Sequence, residues 1–374
     1  MATHQSLPQS HTPSPLSWTE KLFLATKVPL LLLFGIGSFI RRMLRTSDFS
    51  SRNLRRNIPA AFSSNMLAFL SLREMQSFLL PTGVNIAHFC TSHNLRHEPV
   101  RLDETDGFPP ATLHFIDSSP DTDGNVFLYL HGGGYIFSLA SPNTLIFAHR
   151  AAAAASAALV VLEYSIAPAV TYPGQLAQAA AALRFLLQKR RGEPARIIVG
   201  GDSAGGNLTL AILAHLQSPH PRIAPIRFAA GGKQKLRAAL CISPRTNNVC
   251  TAPSYRFNGN KDFISPQAVK LFTANWQPVE DDVWATPVAG SKAFWADFRA
   301  SRLLFVVGGD EVYLSDVRAQ AELMDAQESP GANFQLTVCP GEMHDQPIMD
   351  FGQGVEDGRM TTAVINWMRG LPSP

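Results

Sequence analysis

The stretch Ile197-Ile198-Val199-Gly200-Gly201-Asp202-Ser203-Ala204-Gly205-Gly206-Asn207 decides the fold. Ile197 to Gly200 form an apolar run of strand length, and the apolar spacing from Gly205 to Leu216 is helical. Between them lies a Gly-x-Ser-x-Gly pattern, Gly201 to Gly205. Alone, the five residues are also compatible with a plain glycine-rich turn. With a strand before and a helix after, they read as a strained elbow that lifts a serine hydroxyl clear of a sheet, and bulky neighbours would not fit there.

The surrounding sequence supplies that sheet. From about Leu95 onward, strands are predicted near Thr112–Asp117, Val126–Leu130, Leu159–Glu163, Ile197–Gly200, Ala238–Ile242, Leu303–Val307 and Phe334–Val338. Helices are predicted near Asn143–Ala157, Gly174–Gln188, Gly205–Leu216, Pro266–Asn275, Asp316–Gln327 and Val355–Met368. Such alternation means right-handed crossovers and a mostly parallel sheet flanked by helices, with chemistry at the carboxyl ends of the strands. Ser141 and Pro142 supply an N-cap and a first-turn proline, and Ser218 to Lys235 reads as a surface loop rich in Pro and Gly.

Chain order then selects the partners of Ser203. The strand Val126–Leu130 runs into His131-Gly132-Gly133-Gly134-Tyr135, where successive glycines let backbone N–H groups converge on an oxyanion. An elbow of this type is followed by an acid and then a histidine. His215, His220 and His344 follow Ser203. The first lies in the helix behind the serine and the second in the next loop, which leaves His344, just after the last predicted strand, as the base. The acid should follow Leu303–Val307, where Asp310 and Glu311 compete; Asp316 reads as a helix start.

Composition removes other classes. With 374 residues, 45% hydrophobic and 16% charged, the chain is neither disordered nor a coiled coil. A net charge of +3 without clustering gives no nucleic-acid footprint. Cys90, Cys241, Cys250 and Cys339 are spaced too irregularly for a zinc site, so no metal is expected; a Cys241–Cys250 pair stays open. Residues 1–17 read as a disordered tail, 18–94 as a helical lid or membrane-contacting region, and 95–374 as the catalytic domain. No strand is predicted between Trp18 and Leu80, and Pro81 and Gly83 close that region. Within it, Leu22 to Ile40 is an apolar run followed by several arginines. Lys27 and Pro29 interrupt the run and leave Val28 to Ile40, which suits an interfacial or lid helix better than a span or a signal peptide. Membrane contact through residues 22–40 is therefore expected, with a membrane-associated placement such as the endoplasmic reticulum set against a cytoplasmic one.

The segments HGGGY (His131 to Tyr135) and GDSAGGN (Gly201 to Asn207) resemble the hormone-sensitive-lipase-like branch of the α/β-hydrolases, a group of carboxylesterases and lipases. The resemblance covers about Arg96 to Arg369. It implies an α/β-hydrolase fold with an eight-stranded sheet, a lid drawn partly from the N-terminal helices, and an oxyanion hole from the N–H groups of Gly132, Gly133 and Ala204. Looser matches at Glu163 to Pro168 and Ser243 to Arg245 depart from the family pattern at Ser165, Ala169 and Arg245. The family's acid stands five places before a second acid, as Glu311 stands before Asp316, which favours Glu311 over Asp310.

The expected activity is hydrolysis of a small-molecule ester through Ser203, His344 and Glu311, with no cofactor. The 23 phenylalanines and the apolar N-terminal run suggest an apolar or membrane-delivered ester. An acyltransferase would share every named residue. A non-catalytic receptor on the same scaffold would usually lack a triad member. A trypsin-like peptidase would place its histidine and acid before the serine.

Overall fold

All seven predicted strands form in the computed structural model, which describes residues 15–44, 51–121, 123–139, 141–228, 234–329, 331–351 and 357–373. They are β2 (Thr112–Ile116), β3 (Asn125–Leu130), β4 (Ala157–Glu163), β5 (Ile197–Asp202), β6 (Ala238–Ile242), β7 (Leu303–Gly308) and β8 (Phe334–Cys339). An unpredicted strand, β1 (His97–Arg101), pairs with β2 at one edge. The sheet order is β1-β2-β4-β3-β5-β6-β7-β8. The β1–β2 and β2–β4 pairings are antiparallel and all others parallel.

Before the sheet come α1 (Trp18–Met43), α2 (Ser51–Phe69), α3 (Leu72–Ser77) and α4 (Thr82–Ser92). Between and after the strands lie α5 (Pro142–Ala154), α6 (Gly174–Lys189), α7 (Ala204–Gln217), α8 (Pro253–Phe257), α9 (Pro266–Trp276), α10 (Lys292–Trp295), α11 (Leu314–Leu323), α12 (Gln346–Phe351) and α13 (Arg359–Arg369). Residues 1–14 of the predicted tail, 229–233 of the predicted loop and Val355, the predicted start of the last helix, lie outside the described residues.

The strand residues alternate between two cores. Val126, Leu128 and Leu130 of β3 pack with α6, α7 and α9, whereas Phe127 and Tyr129 pack with α4, α5 and α13. Both faces are covered, so β5, β6 and β7 are buried along their whole length. Each fully buried Leu, Ile or Phe side chain contributes about 1.5–3 kcal/mol. Ser141 caps α5 as the sequence predicts, its hydroxyl accepting the Asn143 N–H at 3.2 Å. All four cysteines are free, so Cys241 and Cys250 do not pair.

One N-terminal expectation needs correction. Pro81 and Gly83 do not close the helical region but open α4, because proline is tolerated at a helix start and Gly83 N–H donates to Glu163 Oε1 at 2.9 Å. The helix α1 includes both Lys27 and Pro29, the residues that interrupt the apolar run. Lys27 is drawn sideways into an ion pair with the buried Glu74, at 2.8 Å, so its charge is matched where the helix meets the protein.

α2 is fastened to the far end of the sheet. Arg56 Nε and Nη2 each donate to Asp350 at 2.9 Å, and Nη2 lies 3.4 Å from Glu342. Glu342 also accepts the Arg359 and Met360 N–H groups at the start of α13. Removing the guanidinium would leave two buried carboxylates uncompensated. Arg56→Ala is expected to lower unfolding free energy by about 3 kcal/mol in urea titration, well beyond a surface charge deletion.

Candidate active site

The serine is held at the carboxyl end of β5 by backbone geometry. Ser203 has φ 52° and ψ −112°, a costly conformation for a residue with a side chain. Its N–H donates to Ile242 O at 2.8 Å, and its carbonyl accepts from Asn207 N at 3.0 Å and Arg245 N at 3.2 Å. The turn closes because two glycines let it meet β3: an added Cβ would lie 2.0 Å from Leu130 O at Gly201 and 1.8 Å from the same oxygen at Gly205. α7 begins at Ala204, so Ser203 sits at the positive end of a helix whose first N–H groups lack partners within it.

His344, in the loop after β8, is buried. Its Nδ1 lies 3.2 Å from Glu311 Oε2. Glu311 is fully buried and also accepts the Gly308 N–H and the Ser243 hydroxyl, the latter at 2.7 Å. Asp310 instead faces outward and pairs with Lys261 at 3.1 Å. Of the two candidate acids, the fold therefore brings Glu311 to the histidine. His215 is occupied elsewhere, its Nδ1 accepting the His220 N–H at 2.9 Å.

Burial pushes the Glu311 carboxyl up to about 7, even though His344 pulls the other way. Burial also disfavours a charged His344, but the Asp345 and Glu311 carboxylates outweigh it and hold the imidazole well above its ordinary 6.5.

The glycine loop after β3 carries one surprise. Gly132 N–H donates to Asp202 Oδ2 at 3.0 Å, and Asp202 Oδ1 accepts the Tyr129 hydroxyl. The Gly132 donor is thus engaged, while the N–H groups of Gly133 and Gly134 find no acceptor among the described residues. His131 stacks on Tyr164 at 4.3 Å, and burial lowers it to about 4, so it stays neutral.

Several positioning residues were not singled out from the sequence. Asp262 accepts the N–H groups of Val312 (2.9 Å) and His344 (3.2 Å), tying the acid-bearing loop to the base-bearing one. Asn207 accepts the Tyr135 hydroxyl at 2.7 Å and donates to Arg245 O at 2.7 Å, joining the glycine loop to the loop after β6. Asp262 carries no local signal, since it lies in the irregular stretch Asn258 to Ile264. Asn207 falls inside the quoted serine motif and could have been read from it.

The profile of the alpha/beta hydrolase fold matches residues 127–347, from β3 through His344. The chain belongs to the alpha/beta hydrolase fold family. It is 28% identical over 245 residues to ethyl acetate hydrolase of Pseudomonas putida, covering 64% of this hydrolase and 70% of that protein. It is 31% identical over 205 residues to an acetyl-hydrolase of Streptomyces hygroscopicus, covering 53% of this chain and 60% of that one. A thermostable esterase from Pseudomonas putida has the same fold, with a TM-score of 0.63 at 17% identity over 82% of this chain and 91% of that chain.

Beside the elbow of this hydrolase lies a cleft of about 320 Å³. Gly132, Gly133, Asp202 and Asp345 are among its lining residues. Met66, Leu67, Met75 and Phe78, from the N-terminal helices, are among its apolar walls, with Phe137 and Met349 from the catalytic part.

The tightest constraint is the contact between Gly205 and β3. Because the obstructing atoms are backbone, no rotamer change relieves them. Gly205→Ala should lose about 3 kcal/mol or more in chemical denaturation, or fail to accumulate as soluble protein.

Proposed function

We propose that this carboxylic-ester hydrolase works through an acyl-enzyme on Ser203, with His344 as base and Glu311 as the acid that orients it. The observation that carries the reading is the buried Glu311–His344 contact, in the loops after β7 and β8, at the same carboxyl end of the parallel strands that presents the strained Ser203. Ser203 Oγ attacks the ester carbonyl and His344 Nε2 takes its proton. Glu311 fixes the tautomer through Nδ1 and stabilises the imidazolium, which then protonates the leaving alcohol. Water repeats the sequence to release the acid. Gly133 and Ala204 N–H groups receive the oxyanion, and each such donor is worth about 3 kcal/mol of barrier. Gly132 joins them only by giving up Asp202, so Gly134, whose N–H is uncommitted, is the better third donor.

The substrate is an apolar ester. Its acyl chain lies against the apolar walls of the cleft, with the carbonyl at the glycine loop. The N-terminal helices serve as the lid over this cleft, and α1 meets a lipid surface. Trp18, Leu22, Phe23, Leu30, Leu33 and Ile40 stand out from α1, exposed by half or more. The opposite side is tied down along the helix: Lys27 to Glu74, Ser38 to Asn65 at 3.0 Å, and Arg42 to Lys261 O at 2.7 Å. A helix fastened over that length favours lying in the interface over crossing a bilayer.

Hydrolysis of p-nitrophenyl esters tests this reading. Ser203→Ala and Glu311→Gln should each lower kcat by at least about 10³-fold, and Asp310→Asn by less than about threefold. Equal rates for Ser203→Ala and wild type would refute the serine mechanism. The ratio kcat/KM should rise by up to about fourfold per added CH2 from acetate toward chains of about eight carbons, while Leu67→Trp shifts the optimum back to short chains.

A further inference from the structure

We propose that Asp345 is a second carboxylate on the imidazole of His344, a positioning residue that holds the base in a protonated resting state and so sets the pH at which the hydrolase becomes active. This rests on the serine mechanism above and goes beyond it. Asp345 Oδ2 lies 3.1 Å from His344 Nε2, the nitrogen that must present a lone pair to Ser203. The pair is off hydrogen-bond alignment, since Nε2 has no hydrogen-bond partner among the described residues. Asp345 Oδ1 is likewise buried and unpartnered, and the residue lines the cleft.

A neutral imidazole has one N–H; between two carboxylates the form with two is favoured. Glu311 stands at Nδ1 and Asp345 at Nε2, so the second carboxylate opposes the state that the first prepares. One hydroxyl touches both residues: Ser243 Oγ donates to Glu311 Oε1 at 2.7 Å and accepts the Asp345 backbone N–H at 3.2 Å. The Asp345 backbone has φ 47°. When pH rises, the Nε2 proton passes to bulk buffer, the ion pair lapses, and Nε2 can accept from Ser203.

The other groups around this pair do not supply a competing cation. His344 faces Asp262, which accepts its N–H, and the ring of Tyr313 at 5.1 Å. Asp202 and Tyr129 lie on the side of Asp345, and burial together with Asp345 pushes the Asp202 carboxyl up to about 7. The buried Arg245 acts on Tyr313 and lies over the Trp276 ring at 5.5 Å.

The test is the pH profile of kcat/KM for wild type, Asp345→Asn and Asp345→Gly, both of which tolerate a left-handed φ. The acidic limb should move at least about one pH unit lower in the variants, a tenfold gain in the ratio of low-pH to plateau activity. A limb that stays in place or moves upward overturns the proposal. Independently of any Asp345 variant, 15N NMR of the wild-type imidazole, assigned with His344→Gln, should give a pKa above the ordinary ~6.5. A value at or below it overturns the proposal. Absence of Ser203-dependent hydrolysis would instead refute the mechanism on which it rests.

Discussion

Everything at this site depends on how closely β5 and its turn approach β3. The Leu130 carbonyl sits where a Cβ on either Gly201 or Gly205 would have to go, so the turn is pinned between two parallel strands. That pinning overrides the preference of Ser203 for a relaxed backbone and holds it at φ 52°. The cost is carried by the buried sheet. Once the elbow is fixed, α7 starts at Ala204, the glycine loop lies alongside, and the loops after β7 and β8 have one place to converge.

Convergence of those loops creates an electrostatic problem. Glu311, Asp262, Asp202 and Asp345 are all buried close to one imidazole. Besides the imidazole, directed N–H and O–H donors face them: Ser243 and Gly308 for Glu311, Val312 and Phe263 for Asp262, Tyr129 and Gly132 for Asp202. Asp345 has no such donor on its Oδ1. It is the least satisfied member of the cluster and the one nearest the nitrogen that does the chemistry.

The parts legible in the sequence are those with strong local grammar. The buried strands are continuous apolar runs, and the elbow and glycine loop are dense in residues that only tight turns need. β1 was missed because His97-Glu98-Pro99-Val100-Arg101 has neither alternation nor an apolar run; it is a half-exposed edge strand, where proline is tolerated. The choice between Asp310 and Glu311 rested on a family spacing, since adjacent acids at a strand end differ only in which way the chain turns. Position of Asp262 depends on a tertiary approach of two loops, and nothing in its neighbours announces that.

The N-terminal helices show how local signals mislead. Lys27 and Pro29 look like breaks in an apolar helix, yet Lys27 reaches Glu74 and the helix runs on. That ion pair ties α1 to α3, while Gln76 on Ile136 O and Ala167 O and Arg56 on Asp350 join the N-terminal helices to the rest of the chain, where Met66, Leu67 and Met75 line the cleft. The central claim, that Ser203 is the nucleophile of this arrangement, is tested most directly by intact-protein and peptide mass spectrometry after treatment with an alkyl fluorophosphonate. The account predicts a single phosphonyl adduct, located on the peptide containing Ser203 and absent from folded Ser203→Ala. A folded wild type that gains no adduct, or a Ser203→Ala variant that gains the same one, would contradict it.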